Sequence, residues 1–354
     1  MARRATIADV AALANVSSAT VSRALSGNYP VAESTRARIE AAVSELGYVA
    51  NAQARALAGI PTRTVGIIIQ EIVDSFYAFV ARGVEQEAAA SGRLCLVCCT
   101  HGDPRQELAF LDLLHEQRAD AVILVGGSIS DKRHAGEVMA RGKSLRDTGS
   151  LLIHCGRATP SEDIAAVEYD NGGGAFAATD HLLTNGHRRI LYLGGPKRFS
   201  TSVDRLEGYK RALASRGIEV DPELIQLGAL GQRFGYERLK AVLAEGRLDF
   251  TAIFAANDNT AVGAYQALDE AGLRIPEDVS VVGYDDIPVA ALLRPALTTV
   301  NIPLEEMGRR AVRLAVAHGN EYADAYSVSS HNVRLGTHLV LRDSVAPARK
   351  KRRQ

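Results

Sequence analysis

Cysteine is scarce in this 354-residue chain, with four residues in all. That is too few for the disulfide framework of a small secreted domain. Three of the four fall within Arg93-Leu94-Cys95-Leu96-Val97-Cys98-Cys99. Cys95 and Cys98 have CxxC spacing, yet no second pair and no closely spaced histidines complete a zinc set. Buried thiols on a strand are therefore expected, with no metal and no cofactor. No run approaches the roughly 18 apolar residues of a membrane span. The start, Met1-Ala2-Arg3-Arg4-Ala5-Thr6, leads into alanine-rich amphipathic sequence without the apolar core of a secretion signal, which points to the cytoplasm. A Walker phosphate loop, a Gly-x-Ser-x-Gly elbow and a His-Glu-x-x-His motif are all missing, so no catalytic residue is assigned. An excess of one charge is missing too: Lys+Arg and Asp+Glu each number 41.

The zero hides an uneven distribution. Residues 1–63 hold seven arginines against four acids, net +3; residues 342–354 are net +5, which leaves −8 for the middle. A basic head, an acidic body and a basic tail imply different tasks. Apolar residues make up 47% and charged residues 23%, as in soluble globular proteins, and the length asks for two domains or more.

The head reads as short helices. Thr6-Ile7-Ala8-Asp9 is a capping box, with a hydroxyl at the N-cap and a carboxylate three residues on. Val10, Leu13 and Ala14 follow at helical spacing, and Asn15, tolerant of the left-handed region, ends the helix. Ser17 caps a second helix through Leu25, ending near Gly27-Asn28. A third covers about 33–46, with Ile39, Val43 and Leu46 on one face and Gly47 as its stop. Two short helices joined by a tight turn and braced by a third match a helix-turn-helix. The second helix presents Ser17, Ser18, Ala19, Thr20 and Ser22, and then Arg23. Small residues allow a close approach to the major groove, hydroxyls bond phosphates, and arginine grips guanine edges.

Between Asn51, a good N-cap, and Gly59-Ile60-Pro61 lies an alanine-rich segment of about eight residues, too short to be helical alone. Its one large apolar side chain, Leu57, suits either a wedge into a minor groove or a plain linker.

From 64 onward apolar runs alternate with helical stretches. Expected strands are 64–70, 94–100, 121–125, 151–155, 190–194, 224–227, 252–256 and 279–284; expected helices include 76–90, 105–117, 172–183 and 204–216. Such alternation means parallel sheets covered on both faces. The strands fall into two sets that split near 165–190, hence an α/β body of two doubly wound subdomains. Ligands in such folds sit beyond the C-terminal ends of strands, so the cleft between the halves is the expected site. At those ends stand Asp74-Ser75-Phe76-Tyr77, Gly126-Gly127-Ser128, Ser200 to Arg205, Phe254 to Asp258 and Gly283 to Asp286. Carboxylate, amide, guanidinium and aromatic faces together suit a hydroxyl-rich ligand such as a sugar. Asn171-Gly172-Gly173-Gly174 reads as a helix start before it reads as a phosphate cradle, and His181 and His187 read as structural.

Thr6-Ile7-Ala8-Asp9-Val10-Ala11, the run Val16 to Leu25 and the run Gly47 to Leu57 resemble the head and hinge of the lactose-repressor (LacI/GalR) family of bacterial transcription regulators. Val167 to Asn171, His181 to Ile190, Asn257 to Ala264, Val281 to Asp286 and Pro295 to Val300 resemble blocks of its body. The likeness runs from Thr6 to about Val345. It implies an all-α helix-turn-helix head (1–48), a hinge helix and linker (49–63), and a periplasmic-binding-protein-like effector and dimerisation body (64–345). That body's halves split near 165–190, with a crossover near 300–330; a basic disordered tail (346–354) lies outside the likeness. By the same resemblance Ser18, Ala19 and Arg23 read bases and Leu57 enters the operator centre. Thr6, Ser17, Thr20, Ser22, Asn28, Tyr48, Asn51 and Ala54 complete the DNA-facing set. Phe76, Tyr77, Ser128, Ser200, Arg205, Phe254, Asn257 and Asp285 form the expected effector pocket. Two departures stand out: Asn15 replaces a usual turn glycine, and Ala50 replaces the proline before the hinge asparagine. The implied protein is a homodimeric regulator, a repressor by expectation, which binds a near-palindromic operator on the nucleoid and answers to a sugar. A nucleobase stacked on Phe76, Tyr77 and Phe254 is an open alternative, as is a sugar-binding protein or enzyme on the same fold.

Overall fold

The computed structural model describes residues 5–26, 30–48, 62–127, 131–157, 164–246, 249–318 and 332–349. Asn28, Asn51, Ala54, Leu57, Ser128 and the end of the basic tail lie outside them.

The head is three helices, α1 (Ile7–Ala14), α2 (Ser18–Ser26) and α3 (Glu33–Leu46). The capping box forms: the Asp9 amide donates to Thr6 Oγ1, and the Thr6 amide donates to Asp9 Oδ2 at 2.8 Å. Asn15 closes α1 at φ 51° and Gly47 closes α3 at φ 56°, both in the left-handed region. Val10, Ala11, Ala14, Val21, Ile39 and Ala42 make a small buried core. Leu13, expected on the inner face, is exposed instead. The short helix α1 turns a stripe of Val10, Ala11 and Ala14 inward, and Leu13 falls outside that stripe.

The body holds two six-stranded sheets. The first has strands β1 (Thr64–Ile69), β2 (Leu94–Cys99), β3 (Ala121–Val125), β4 (Leu151–Cys155), β5 (Ile164–Tyr169) and, much later, β11 (Asn332–Leu335), in the order β11-β5-β4-β3-β1-β2. The second has β6 (Ile190–Gly194), β7 (Ile225–Leu227), β8 (Ala252–Ala255), β9 (Ser280–Asp285), β10 (Thr298–Asn301) and β12 (His338–Val340), in the order β12-β10-β9-β8-β6-β7. All pairings are parallel except β10 with β12. Crossover helices cover the sheets: α4 (Ser75–Ala90), α5 (Pro104–Glu116) and α6 (Lys132–Asp147) on the first, α7 (Asn171–Thr184), α8 (Ser200–Ser215), α9 (Gln232–Ala244) and α10 (Asp258–Glu270) on the second. A short α11 (Pro288–Leu292) follows β9.

The chain passes between the sheets three times: after β5, after β10 and between β11 and β12. Helix α12 (Leu304–His318) follows β10 but packs back on α4, β4 and β5. Glycine makes that contact close. A Cβ on Gly83 would stand 2.0 Å from the Glu305 carbonyl oxygen, and one on Gly308 2.3 Å from that of Val80. Arg313–Glu87 at 2.9 Å and Arg82–Glu305 at 3.5 Å tie the same two helices. His187 is structural, as expected: its ring nitrogens meet Thr251 Oγ1 at 2.8 Å and the Ala346 carbonyl at 3.0 Å.

One apolar strand departs from expectation. β2 pairs only with β1, at the edge of its sheet, and Leu94, Leu96 and Val97 are exposed. Cys95, Cys98 and Cys99 are half-buried rather than buried. An edge strand has a neighbour on one side only, so apolar composition does not by itself secure burial.

Candidate functional site

Both sheets point their C-terminal strand ends at one cavity of about 290 Å³. The first half supplies Gln70 after β1, Asp74, Phe76 and Tyr77 at the start of α4, Thr100, Asp103 and Glu107 around the start of α5, Gly126 and Gly127 after β3, and Tyr169 at the end of β5. The second half supplies Arg198, Phe199, Thr201, Ser202 and Arg205 from the loop after β6 and the start of α8, Leu230, Ala256 and Asn257 after β8, and Asp285 at the end of β9.

Arg205 is the centre of the polar floor and is buried. Its Nε donates to Asn171 Oδ1 at 2.9 Å. One Nη donates to the Ala256 carbonyl, the other to Tyr169 Oη at 3.1 Å and Asp285 Oδ1 at 3.0 Å. Its guanidinium carbon lies 3.8 Å from the centre of the Tyr284 ring. One side chain thus joins the ends of β8 and β9 to Tyr169 of the opposite half. Burial pushes the Asp285 carboxyl up, against the pull of Arg205. The backbone around it is strained, with Asp285 at φ 106° and Asp286 at φ 55°. Such values are uncommon for non-glycine residues and concentrate where a structure holds them for a purpose. Arg342 Nη2 at 2.7 Å and Asn301 Nδ2 at 2.9 Å fix Asp286.

The aromatic wall is edge-on: Phe76 and Tyr77 meet at 5.1 Å and 88°, and Tyr77 Oη donates to Gln70 Oε1 at 2.9 Å. The halves also touch across the cleft, where Asn259 Nδ2 donates to Asp74 Oδ1 at 3.3 Å.

Of the expected pocket residues, the cavity brings together Phe76, Tyr77, Arg205, Asn257 and Asp285. Two are elsewhere. Phe254 is fully buried within β8 and packs at 5.4 Å on Tyr192, because it sits short of the strand end, in the layer between sheet and helices. Ser200 does not line the cavity; Thr201 and Ser202, one and two positions along the same turn, do. Asp103, Glu107, Arg198 and Phe199 were not expected. The strand-end rule that located Asp74 would have found Asp103 and Pro104 after β2 as well.

On the head, Ser17 Oγ accepts from the Thr20 amide at 3.1 Å and caps α2. Ser18, Ala19 and Arg23 face solvent, Thr20 and Ser22 are half-buried, and Val21 between them is buried. Tyr48 packs partly against the head core, and Thr6 is engaged in its capping box. The expected base-reading residues therefore share an open helix surface.

A helix-turn-helix head followed by two doubly wound halves with a polar cleft at their strand ends defines a DNA-binding regulator with a periplasmic-binding-protein-like ligand body. Comparison with known proteins agrees. The description "Bacterial regulatory proteins, lacI family" matches residues 6–51, and "Periplasmic binding protein-like domain" matches residues 179–345. The HTH-type transcriptional regulator GalR of Escherichia coli (strain K12) is 35% identical over 313 residues, spanning 88% of this chain and 89% of GalR. CelR of Thermobifida fusca, also an HTH-type transcriptional regulator, is 35% identical over 350 residues, 97% of this chain and 98% of CelR. A solved CelR–cellobiose complex superposes with TM-score 0.69 at 33% identity, covering 96% of this chain and 100% of that one. The lac repressor dimer bound to operator and the anti-inducer ONPF superposes with TM-score 0.80 at 25% identity, covering 97% and 100%. The chain belongs to the LacI/GalR family of bacterial transcription regulators. It is a DNA-binding transcriptional regulator, and the relatives named are regulators rather than enzymes. Among the described residues no helix is long and apolar enough to cross a membrane.

Proposed function

We propose that the protein is a repressor that binds a near-palindromic operator as a homodimer and changes its grip when a sugar enters the cleft. The observation that carries this reading is the Arg205–Asp285 pair at the floor of the cleft, with Asn257 and Tyr169 beside it. Charge-assisted hydrogen bonds contribute about 1.5–3 kcal/mol each, so a few to sugar hydroxyls are enough to favour one angle between the halves. The ligand acts only through its differential affinity for the two states. The cellobiose in the CelR complex supports a sugar. The nucleobase alternative loses Phe254 as a stacking face, and Phe76 and Tyr77 stand at right angles to each other. The test is fluorescence anisotropy of operator DNA with the full-length protein, titrated with mono- and disaccharides, nucleobases and nucleosides. A sugar that shifts the operator isotherm supports the reading; a shift by nucleobases or nucleosides alone overturns it.

The exposed apolar face of β2 supports self-association, and Val97→Glu tests it. A charge there is expected to convert the dimer to monomers on sizing with light scattering. Operator affinity then falls roughly 100-fold or more, because two linked heads gain about 10²–10⁴ over one. A dimer of unchanged size would rule out this face.

A further inference from the structure

Given a small-molecule effector in the cleft, we infer that it carries an anionic group, phosphate or carboxylate, which docks at the N-terminus of α8 beside Ser202 and Arg198. Among the described residues, four helices bring their first turn or cap to the cavity: α4, α5, α8 and α10. Three are closed by their own side chains. Asp74 Oδ1 accepts from the Phe76 amide, Asp103 Oδ1 from the Arg105 amide and Asn257 Oδ1 from the Thr260 amide, each at 2.9 Å. The cap of α8 is Phe199, which has no side-chain acceptor to offer. A helix N-terminus carries about half a positive charge on its unpaired amides, so an acceptor from outside is favoured where none is supplied from within.

A second observation is independent of the helix. Ser202 Oγ lines this part of the cavity, belongs to a residue only 5% exposed, and has no hydrogen-bond partner. A buried hydroxyl without a partner is costly unless a ligand completes it. The charges around it add the sign. Every carboxylate that lines the cavity is already engaged: Asp103 with Arg105, Glu107 with His134, Asp285 with Arg205, and Asp74 with the Phe76 amide and Asn259. Arg198 lines the same wall, faces solvent, and forms no ion pair among the described residues. A neutral hydroxyl would satisfy Ser202 but would leave both Arg198 and the helix end without a counter-charge. The place also bears on closure, since a Cβ on Gly127 of the opposite half would stand 2.8 Å from Thr201 Oγ1. An anion there sits at the seam between the halves.

The experiment compares glucose 6-phosphate, glucuronate, glucose, cellobiose and inorganic phosphate by thermal shift and calorimetry on the full-length protein and on Arg198→Ala. Operator release is read separately. A charged sugar is expected to bind at least roughly tenfold tighter than its parent, about 1.4 kcal/mol. Inorganic phosphate is expected to raise the melting temperature, and Arg198→Ala to remove both effects. Arg198 is exposed, so its truncation leaves the fold intact. No protection by inorganic phosphate, or a preference for charged sugars that survives Arg198→Ala, overturns the anion site. If a neutral sugar releases operator while the charged ones fail to bind, the anion site falls and the effector reading stands. If charged sugars bind but no ligand alters operator binding, the effector reading falls and the anion site stands.

Discussion

Arg205→Met is expected to lower the melting temperature by on the order of 10 °C and to abolish the effector response. Methionine keeps the apolar reach of the side chain but leaves Asp285 as a buried carboxylate with no cation beside it. Breaking one side of a buried, hydrogen-bonded pair destabilises by about 3–5 kcal/mol, because the remaining charge is neither solvated nor compensated. In a domain of this size each kcal/mol moves the midpoint by roughly 2–4 °C. The loss extends beyond the ion pair, since the same guanidinium also bonds Asn171, Ala256 and Tyr169 and stacks on Tyr284. The double variant Arg205→Met, Asp285→Asn removes the stranded charge, and asparagine tolerates the positive φ that Asp285 adopts. It should regain much of the melting temperature while the operator isotherm stays indifferent to effector. That pattern separates a role in ligand response from a role in folding. A single variant that melts within about 2 °C of the parent, well under the shift expected for a buried pair, would remove Arg205 from the centre of the site.

Arg23→Ala should weaken operator binding by about 1–3 kcal/mol, roughly 5- to 150-fold, and relax specificity at the contacted base pair. Arg23 faces solvent near the end of α2, while the head core rests on Val10, Val21 and Ile39. The thermal melt should therefore be unchanged, which isolates recognition from folding. Anisotropy on the operator and on single-base variants, across a range of salt, reads the outcome. A loss equal for all sequences, with the salt slope reduced by about one, would make Arg23 a phosphate contact and sink its assignment to bases.

Local features were legible where local physics decides them. Asn15 and Gly47 end their helices because few other residues tolerate the left-handed region, and Thr6 with Asp9 builds its cap from neighbours three positions apart. The strands 121–125, 151–155 and 190–194 were expected with the bounds they have, since a continuous apolar run between polar turns suits a doubly covered parallel strand. β5, β10, β11 and β12 were missed as strands. β11 and β12 are short, and Asn332, Arg334 and His338 interrupt their apolar character, as an outer strand of a sheet permits. Phe254 shows the limit of the strand-end rule. Proximity in sequence to the cavity residues Ala256 and Asn257 does not reveal that its own side chain faces the inner layer.

The sequence by itself determined the class of protein. Period and capping define the head, the alternation of strand and helix defines the body, and the ordered blocks from Thr6 to about Val345 define the family. Each of these is written in neighbouring residues, so no folded partner is needed to read it. Only the tertiary structure decided which groups meet. Arg205, Tyr169 and Asp285 come from three separate stretches of chain, and their union depends on two sheets presenting the same ends to one space. It also decided that β2, as apolar as any inner strand, lies at an edge and faces outward. Hydrophobic composition states that a surface must be covered. Position in the sheet states whether this chain covers it or leaves it for another.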